Sequence, residues 1–138
     1  MARTLTTTDN PWTAVVKMAL NYKELVYKPL PSSATSYPTF QDLYVKCDNP
    51  VVILEYLDER HPYLPILPAT IETRLFARYL MHNLLHNQTQ TIQEIMTFPA
   101  LDRIAPNTHR PTCVDFCLAA LVPHLYNNAW RGIRREYL

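Results

Sequence analysis

Two stretches of the chain place an apolar stripe at helical spacing behind the same opening device. Asp9-Asn10-Pro11 precedes Val15, Val16, Met18, Ala19 and Leu20, and Asn49-Pro50 precedes Val52, Ile53, Tyr56 and Leu57. An Asn side chain can accept from the free amides of a first turn, and a proline there forfeits no hydrogen bond. The pattern therefore predicts helices to about Tyr22 and to about Arg60. Short threonine-rich or β-branched runs at Arg3–Thr7 and Glu24–Lys28 read as strands, and Phe40–Lys46 as two more that meet at Gln41-Asp42. Between them PLPSSATSYP is a linker that holds no helix. From Ala69 onward the period is helical. Ala69–Asn87 carries Ile71, Leu75, Ala77, Leu80, Met81, Leu84 and Leu85, Thr91–Thr97 a weaker repeat, Pro111–Tyr126 a strong one, and Ala129–Tyr137 a short last one. This order predicts an α+β protein: a small mixed sheet over 1–62 and an all-α region over 69–138.

The second capped helix ends in Glu55, Asp58, Glu59 and Arg60, a charged cluster that reads as a solvated face paired with Arg60. HPYLPILP follows. Pro62, Pro65 and Pro68 each fix their own backbone and bias the preceding residue toward an extended form. The segment is thus a stiff strap bearing Tyr63, Leu64, Ile66 and Leu67. It serves either as a rigid connector whose side chains fill a groove, or as a preformed surface on which a partner docks at low entropic cost.

Composition narrows the chemistry. Hydrophobic residues make up 48% of 138, enough for a packed core, and the net charge of +1 carries no footprint of a general nucleic-acid binder. One glycine against twelve prolines excludes GxGxxG and Walker loops. Cys47, Cys113 and Cys117 lack metal-like pairing and predict small apolar fillers in a reducing, cytoplasmic setting. His82 and His86 stand at i and i+4, a metal-compatible spacing, but no Asp or Cys lies within a turn of them, so no metal site is expected. No apolar run approaches a membrane span, and MARTLTTTDN has no signal-peptide core.

Three local features, in this order, resemble the glutathione transferase superfamily. Tyr37-Pro38-Thr39-Phe40 is similar to the family's V-P-T-L step, whose proline is cis. Asn49 to Leu57 resembles its E-S-x-A-I-x-x-Y-L helix. Thr112 and Asp115 resemble the S/T-x-x-D box of the buried helix, in which Thr112 would cap the first turn while Asp115 reaches back. More narrowly, ILEYLDERHPYLPILP, TAVVKMALNYKEL and TCVDFCLAALVPHLY are similar to the stringent starvation protein A family, transferase-fold regulators that bind bacterial RNA polymerase. The resemblance implies a thioredoxin-like sheet domain followed by a truncated helical domain. The linker at Pro29–Ser36 replaces the family's second helix, so the resemblance is to a pared-down, diverged member, for which a bacteriophage-encoded copy is one origin.

A glutathione transferase needs a hydroxyl or thiol near its first helix and an acidic-Ser pair for the γ-glutamyl end. Here Pro11-Trp12-Thr13 and Asn49-Pro50 stand at those places. Only Thr8 or Thr13 offers a hydroxyl, and Asp48 a charge one residue early that also suits the helix dipole. A non-enzyme with no cofactor follows as the expectation, a weak glutathione-dependent enzyme or an inhibitor of another host target being the alternatives. The regulator resemblance implies that Arg60, His61, Pro62, Tyr63, Leu64 and Pro65 contact RNA polymerase holoenzyme and its primary sigma factor, altering initiation. The family has Pro-His-Pro where Pro62-Tyr63-Leu64 stands. Arg131, Arg134 and Arg135 form either a solvated face or a contact to promoter DNA or an acidic partner. The family's homodimer uses the faces of the Asn49 and Ala69 helices, both present here. Pro38, Asn49, Thr112 and Asp115 are structural.

Overall fold

The computed structural model describes residues 3–43, 45–86, 111–121 and 128–138, the last group without the side chains of 128–131. The element order is β1 (Thr4–Thr7), α1 (Trp12–Tyr22), β2 (Lys28–Pro31), β3 (Thr39–Gln41), β4 (Lys46–Cys47), α2 (Pro50–Arg60), α3 (Ile71–His86), α4 (Cys113–Leu121) and α5 (Asn128–Tyr137). The sheet runs β2-β1-β3-β4. β1 pairs with β2 in parallel and with β3 antiparallel, and β3 pairs antiparallel with β4. Leu5 lies opposite Phe40, and both are fully buried in the hydrophobic core. The architecture is α+β, a thioredoxin-like sheet unit followed by a helical part. The expected helix over Thr91–Thr97 lies outside the described residues, as does the end of the predicted Pro111–Tyr126 helix.

β2 begins at Lys28 and runs into the expected linker, rather than spanning Glu24–Lys28. The cause is the end of α1. Leu25 N donates to Leu20 O and Glu24 N to Asn21 O, with Glu24 at a left-handed φ of 57°. This turn consumes two residues and buries Leu25. β2 is an edge strand. The amides of Lys28 and Ser32 turn inward to Arg3 O and Thr7 O, so positions 29 and 31 face outward. Prolines there leave the exposed edge without donors and block edge-to-edge pairing. No peptide bond among the described residues is cis. Pro38 is therefore trans, correcting the expectation of a cis step. The backbone just before it is already held against the β1–α1 turn, and β3 starts at Thr39 without a reversal there.

α2 opens as its sequence demands: Asn49 Oδ1 accepts from Val51 N (3.1 Å) and Val52 N (3.2 Å), with Pro50 in the first turn. Its buried face is Pro50, Val51, Ile53, Leu54 and Leu57. Val52 is exposed, and Tyr56 is half-buried with its hydroxyl on Asp42 Oδ2 (2.7 Å), so the predicted stripe is rotated by about one residue. α3 likewise buries Ala77, Leu80, Met81 and Leu84 but exposes Ile71 and Leu75. α4 is buried along its whole described length and packs on α1, α3 and α5. Asp115 Oδ2 accepts from Thr112 N (2.8 Å) and Thr112 Oγ1 (3.3 Å), the back-reaching half of the expected box. α5 closes the core through Ile133 and Tyr137, whose ring meets Tyr22 and Phe116 edge-on. No described helix is long and apolar enough to cross a membrane.

Candidate functional site

The strap after α2 rests on a buried ion pair. Lys23, at the C-cap of α1, is fully buried. Its Nζ donates to Asp58 Oδ1 (3.1 Å), His61 O (2.6 Å) and Tyr63 O (3.2 Å), which uses all three ammonium protons. Asp58, only 12% exposed, also accepts from Ile66 N (2.8 Å) and Leu67 N (3.3 Å). One lysine and one aspartate thus satisfy two carbonyls and two amides of a segment that cannot join a helix or sheet. Tyr63 adds a reciprocal link: its hydroxyl donates to Lys23 O (2.7 Å) and its ring lies 5.8 Å from Nζ. Ile66 is buried, and its carbonyl accepts from Cys113 N (2.8 Å), tying the strap to the start of α4.

These contacts correct the reading of the acidic cluster as a solvated face. Asp58 belongs to the buried clasp, and Glu55 pairs with Arg78 of α3 at 3.4 Å. They also show that Tyr63 is an anchor of the strap as well as a surface group. Neither Lys23 nor Asp58 was expected at the site, yet the periodicity held the signal. Lys23 continues the buried series Val16, Ala19, Leu20, and Asp58 continues Pro50, Leu54, Leu57, each at steps of three or four residues or immediately beside the last.

With its polar groups satisfied from below, the strap leaves apolar side chains outside. Tyr63 is 49% exposed and Leu64 40%, and Leu64 holds a left-handed φ of 50°. In the turn after α1, Val26 is 83% exposed, and its carbonyl accepts from Arg3 Nη1 (3.2 Å). The His61 ring meets Tyr63 edge-on at 6.3 Å. Burial lowers the pKa of His61 below the ordinary value, and Arg3, Arg60 and Lys23 lower it further against a smaller opposing effect of Asp42. Of the six expected contact residues, Arg60, Pro62, Tyr63 and Leu64 are exposed and His61 and Pro65 half-exposed.

The second place of interest is the mouth of α1. Thr8 Oγ1 and Thr13 Oγ1 lie 3.1 Å apart. Thr8 and its neighbours meet the linker: Thr8 Oγ1 donates to Ser36 O, Asn10 Nδ2 to Thr35 O (3.2 Å) and Asp9 N to Ala34 O (2.9 Å). Trp12 N, Thr13 N and Ala14 N go to Asn10 Oδ1, Asn10 O and Pro11 O. Elsewhere, His82 and His86 are exposed with stacked rings 6.4 Å apart, and no group of three metal-ligating residues occurs among the described residues. Burial pushes the Cys113 thiol up to about 12 and raises Cys117 as well, as expected of buried fillers. Arg134 and Arg135 are exposed on α5; the Arg131 side chain lies outside the described residues.

The fold defines the class. The chain is similar in structure to a glutathione transferase homolog from Burkholderia gl BGR1 solved with bound glutathione (TM-score 0.75, 19% identity, 98% of this chain and 90% of that one). It is similar also to a tau-class glutathione transferase from mango (0.68, 15%, 99% and 81%) and to maleylacetoacetate isomerase from Anaeromyxobacter dehalogenans 2CP-1 (0.59, 16%, 98% and 89%). The protein therefore has the glutathione transferase fold. No protein-family model and no curated protein matches the chain. The expectation of a non-enzyme is corrected by these neighbours, which are transferases and isomerases, several holding glutathione or a derivative of it. That expectation rested on missing side chains, and the fold around them is one that houses enzymes.

Proposed function

We propose that the protein is a regulator of transferase fold, related to stringent starvation protein A, that docks on bacterial RNA polymerase holoenzyme and its primary sigma factor and inhibits or redirects initiation. The observation that carries this reading is Leu64. It is an apolar side chain left 40% exposed in a left-handed backbone conformation, on a strap that a buried ion pair holds rigid. A non-glycine residue in that region carries about 1 kcal/mol of strain or more, and such strain concentrates at functional surfaces. Arg60, His61, Pro62, Tyr63, Leu64 and Pro65 form the contact, and Arg134 and Arg135 of α5 meet promoter DNA or an acidic partner within the complex. The exposed stripe Ile71, Leu75 and Tyr79 of α3 is the face of a homodimer. The test is capture from a bacterial lysate on the immobilised protein. Polymerase subunits dominate the eluate, and Leu64→Asp removes them while circular dichroism stays unchanged. Equal capture by Leu64→Asp refutes the reading. Tyr63 is unsuitable for this test, since its loss frees the strap.

One observation favours a second reading. The Thr8–Thr13 hydroxyl pair stands at the start of α1, and a structural neighbour was solved with bound glutathione. A glutathione-type thiol peptide bound there makes the protein a weak transferase. Calorimetry with glutathione at millimolar concentration decides: no heat of binding removes this reading.

A further inference from the structure

α3 carries a pair of imidazoles that neither functional reading uses. His82 and His86 lie at i and i+4, both exposed, in the last part of this 16-residue helix. Their rings are nearly parallel, at an interplanar angle of 12°, with centroids 6.4 Å apart. The two side chains therefore leave the helix in the same direction and end side by side. Among the described residues each ring's contact is the other ring. Arg78, four residues before His82, has its Nε 3.4 Å from Glu55 Oε1, so its charge is partly spent on α2. The expectation of no metal site rested on the lack of an Asp or Cys within a turn, and no group of three or more His, Cys, Asp or Glu occurs among the described residues. That rules out a closed, four-ligand set built from these residues, but two imidazoles alone are still a chelate.

We propose that His82 and His86 form a two-histidine site for a late first-row divalent cation, zinc, nickel or copper, whose other coordination positions are filled by water or by a donor from outside the chain. Neutral imidazole suits these ions, whereas magnesium and calcium require oxygen ligands that the pair does not offer. Two histidines at i and i+4 present both nitrogens on one helix face, and the helix holds the second ring at a high effective concentration once the first has bound. An ion about 2.0–2.1 Å from one nitrogen of each ring sets the centroids roughly 5 Å apart. The rings close from 6.4 Å to that separation by rotating about their own side-chain bonds, with the helix unmoved, because both are exposed. At about 100° per residue, Ile71, Leu75, Tyr79, His82 and His86 fall within about 80° of the helix circumference. The ion thus sits on the same exposed stripe as the three apolar side chains.

The experiment titrates the full chain, without an affinity tag, with zinc alone in isothermal calorimetry, and repeats the titration with nickel, copper and magnesium. One zinc binds per chain, copper binds more tightly than nickel, and magnesium gives no heat. His82→Ala and His86→Ala each weaken zinc about tenfold or more, because each leaves a single imidazole in place of a chelate. Circular dichroism of both variants matches the native chain, since neither ring supports the core. His86→Ala combined with Asn83→His keeps the number of histidines but turns the second ring about 100° round the helix. That variant binds zinc as weakly as the single ones. Half an ion per chain with the same losses keeps the site and makes a second copy of the chain the outside donor. No zinc binding by the native chain, binding that survives both alanine substitutions, or full binding by the shifted pair overturns the proposal.

Discussion

Lys23→Met tests the clasp most directly, because methionine keeps the length and apolar stem of lysine and deletes only the ammonium. Three acceptors lose their donor: Asp58 Oδ1, His61 O and Tyr63 O. Removing one member of a buried ion pair costs about 3–5 kcal/mol, because the other charge stays behind in a poorly solvated place. Asp58 keeps its bonds from Ile66 N and Leu67 N and a little water, which favours the lower end, about 3 kcal/mol. Against a typical total of about 5–15 kcal/mol that is a large loss. Urea denaturation followed by circular dichroism should show the midpoint falling at nearly constant slope. Asp58→Asn should cost about 2–3 kcal/mol by leaving the ammonium unpaired, and the double variant should recover about 2 kcal/mol of the summed loss. Limited proteolysis of Lys23→Met should cut within 61–68 before the rest of the chain. A cost below about 1 kcal/mol, or strictly additive single losses, would refute the view that this pair holds the strap.

Other outcomes follow from separate features. Glu24→Gly relieves the left-handed backbone at the end of α1, so thermal unfolding should show a gain of about 0.5–1 kcal/mol; a loss would mean that the Glu24 side chain itself stabilises the turn. Burial raises the Cys113 pKa to about 12, above the ordinary value of a thiol, so the native chain holds a proton that the unfolded chain releases. Its stabilising effect is complete below pH 9 and is lost as pH rises toward 12, at about 1.4 kcal/mol per pH unit. Cys113→Ala should flatten the fall in stability measured between pH 9 and about 10.5, and a thiol reagent at pH 8 should label Cys47 well before Cys113 or Cys117. Leu75→Glu on the exposed face of α3 should abolish any concentration-dependent dimer in sedimentation velocity without lowering the unfolding temperature, since Leu75 supports little of the monomer's core.

Helix starts were legible because they depend on local chemistry: Asn49 caps the first turn behind Pro50, and Asp115 reaches back to Thr112 N, although the Thr112 hydroxyl donates to Asp115 rather than accepting from a first-turn amide. The strap was legible for the same reason, since proline restricts its own backbone whatever surrounds it. What the sequence hid was set by neighbours distant along the chain. Val52 and Leu75 share the helical period of buried residues but fall on faces that no other described element covers. β2 slid four residues because the turn after α1 closed around Leu25, a tertiary choice that strand propensity does not report. Lys23 and Asp58 were passed over because charged residues are usually solvated. Their positions on the apolar period of two different helices were the visible clue, and each is informative only once the other is seen to face it.

The two polar sites of the molecule differ in what they leave over, and that difference ranks the two functional readings. Thr8 Oγ1 has one proton and two lone pairs. With the proton given to Ser36 O, the lone pairs receive Asn10 N at 3.4 Å and the hydroxyl proton of Thr13 at 3.1 Å. Thr13 has then spent its proton on Thr8, so neither hydroxyl has a donor for a thiolate unless the Ser36 carbonyl withdraws. The first three amides of α1 are spent as well. The mouth of α1 is therefore arranged to hold the linker between β2 and β3. At the strap the arrangement is reversed. Polar groups are consumed underneath by Lys23 and Asp58, and what remains outward is the apolar pair Tyr63 and Leu64. A ligand at α1 must first break existing bonds, whereas a partner at the strap meets a surface already fixed and only has to exclude water from it. The fold that holds glutathione in a structural neighbour thus leaves two apolar side chains, Tyr63 and Leu64, exposed at the other end of α1.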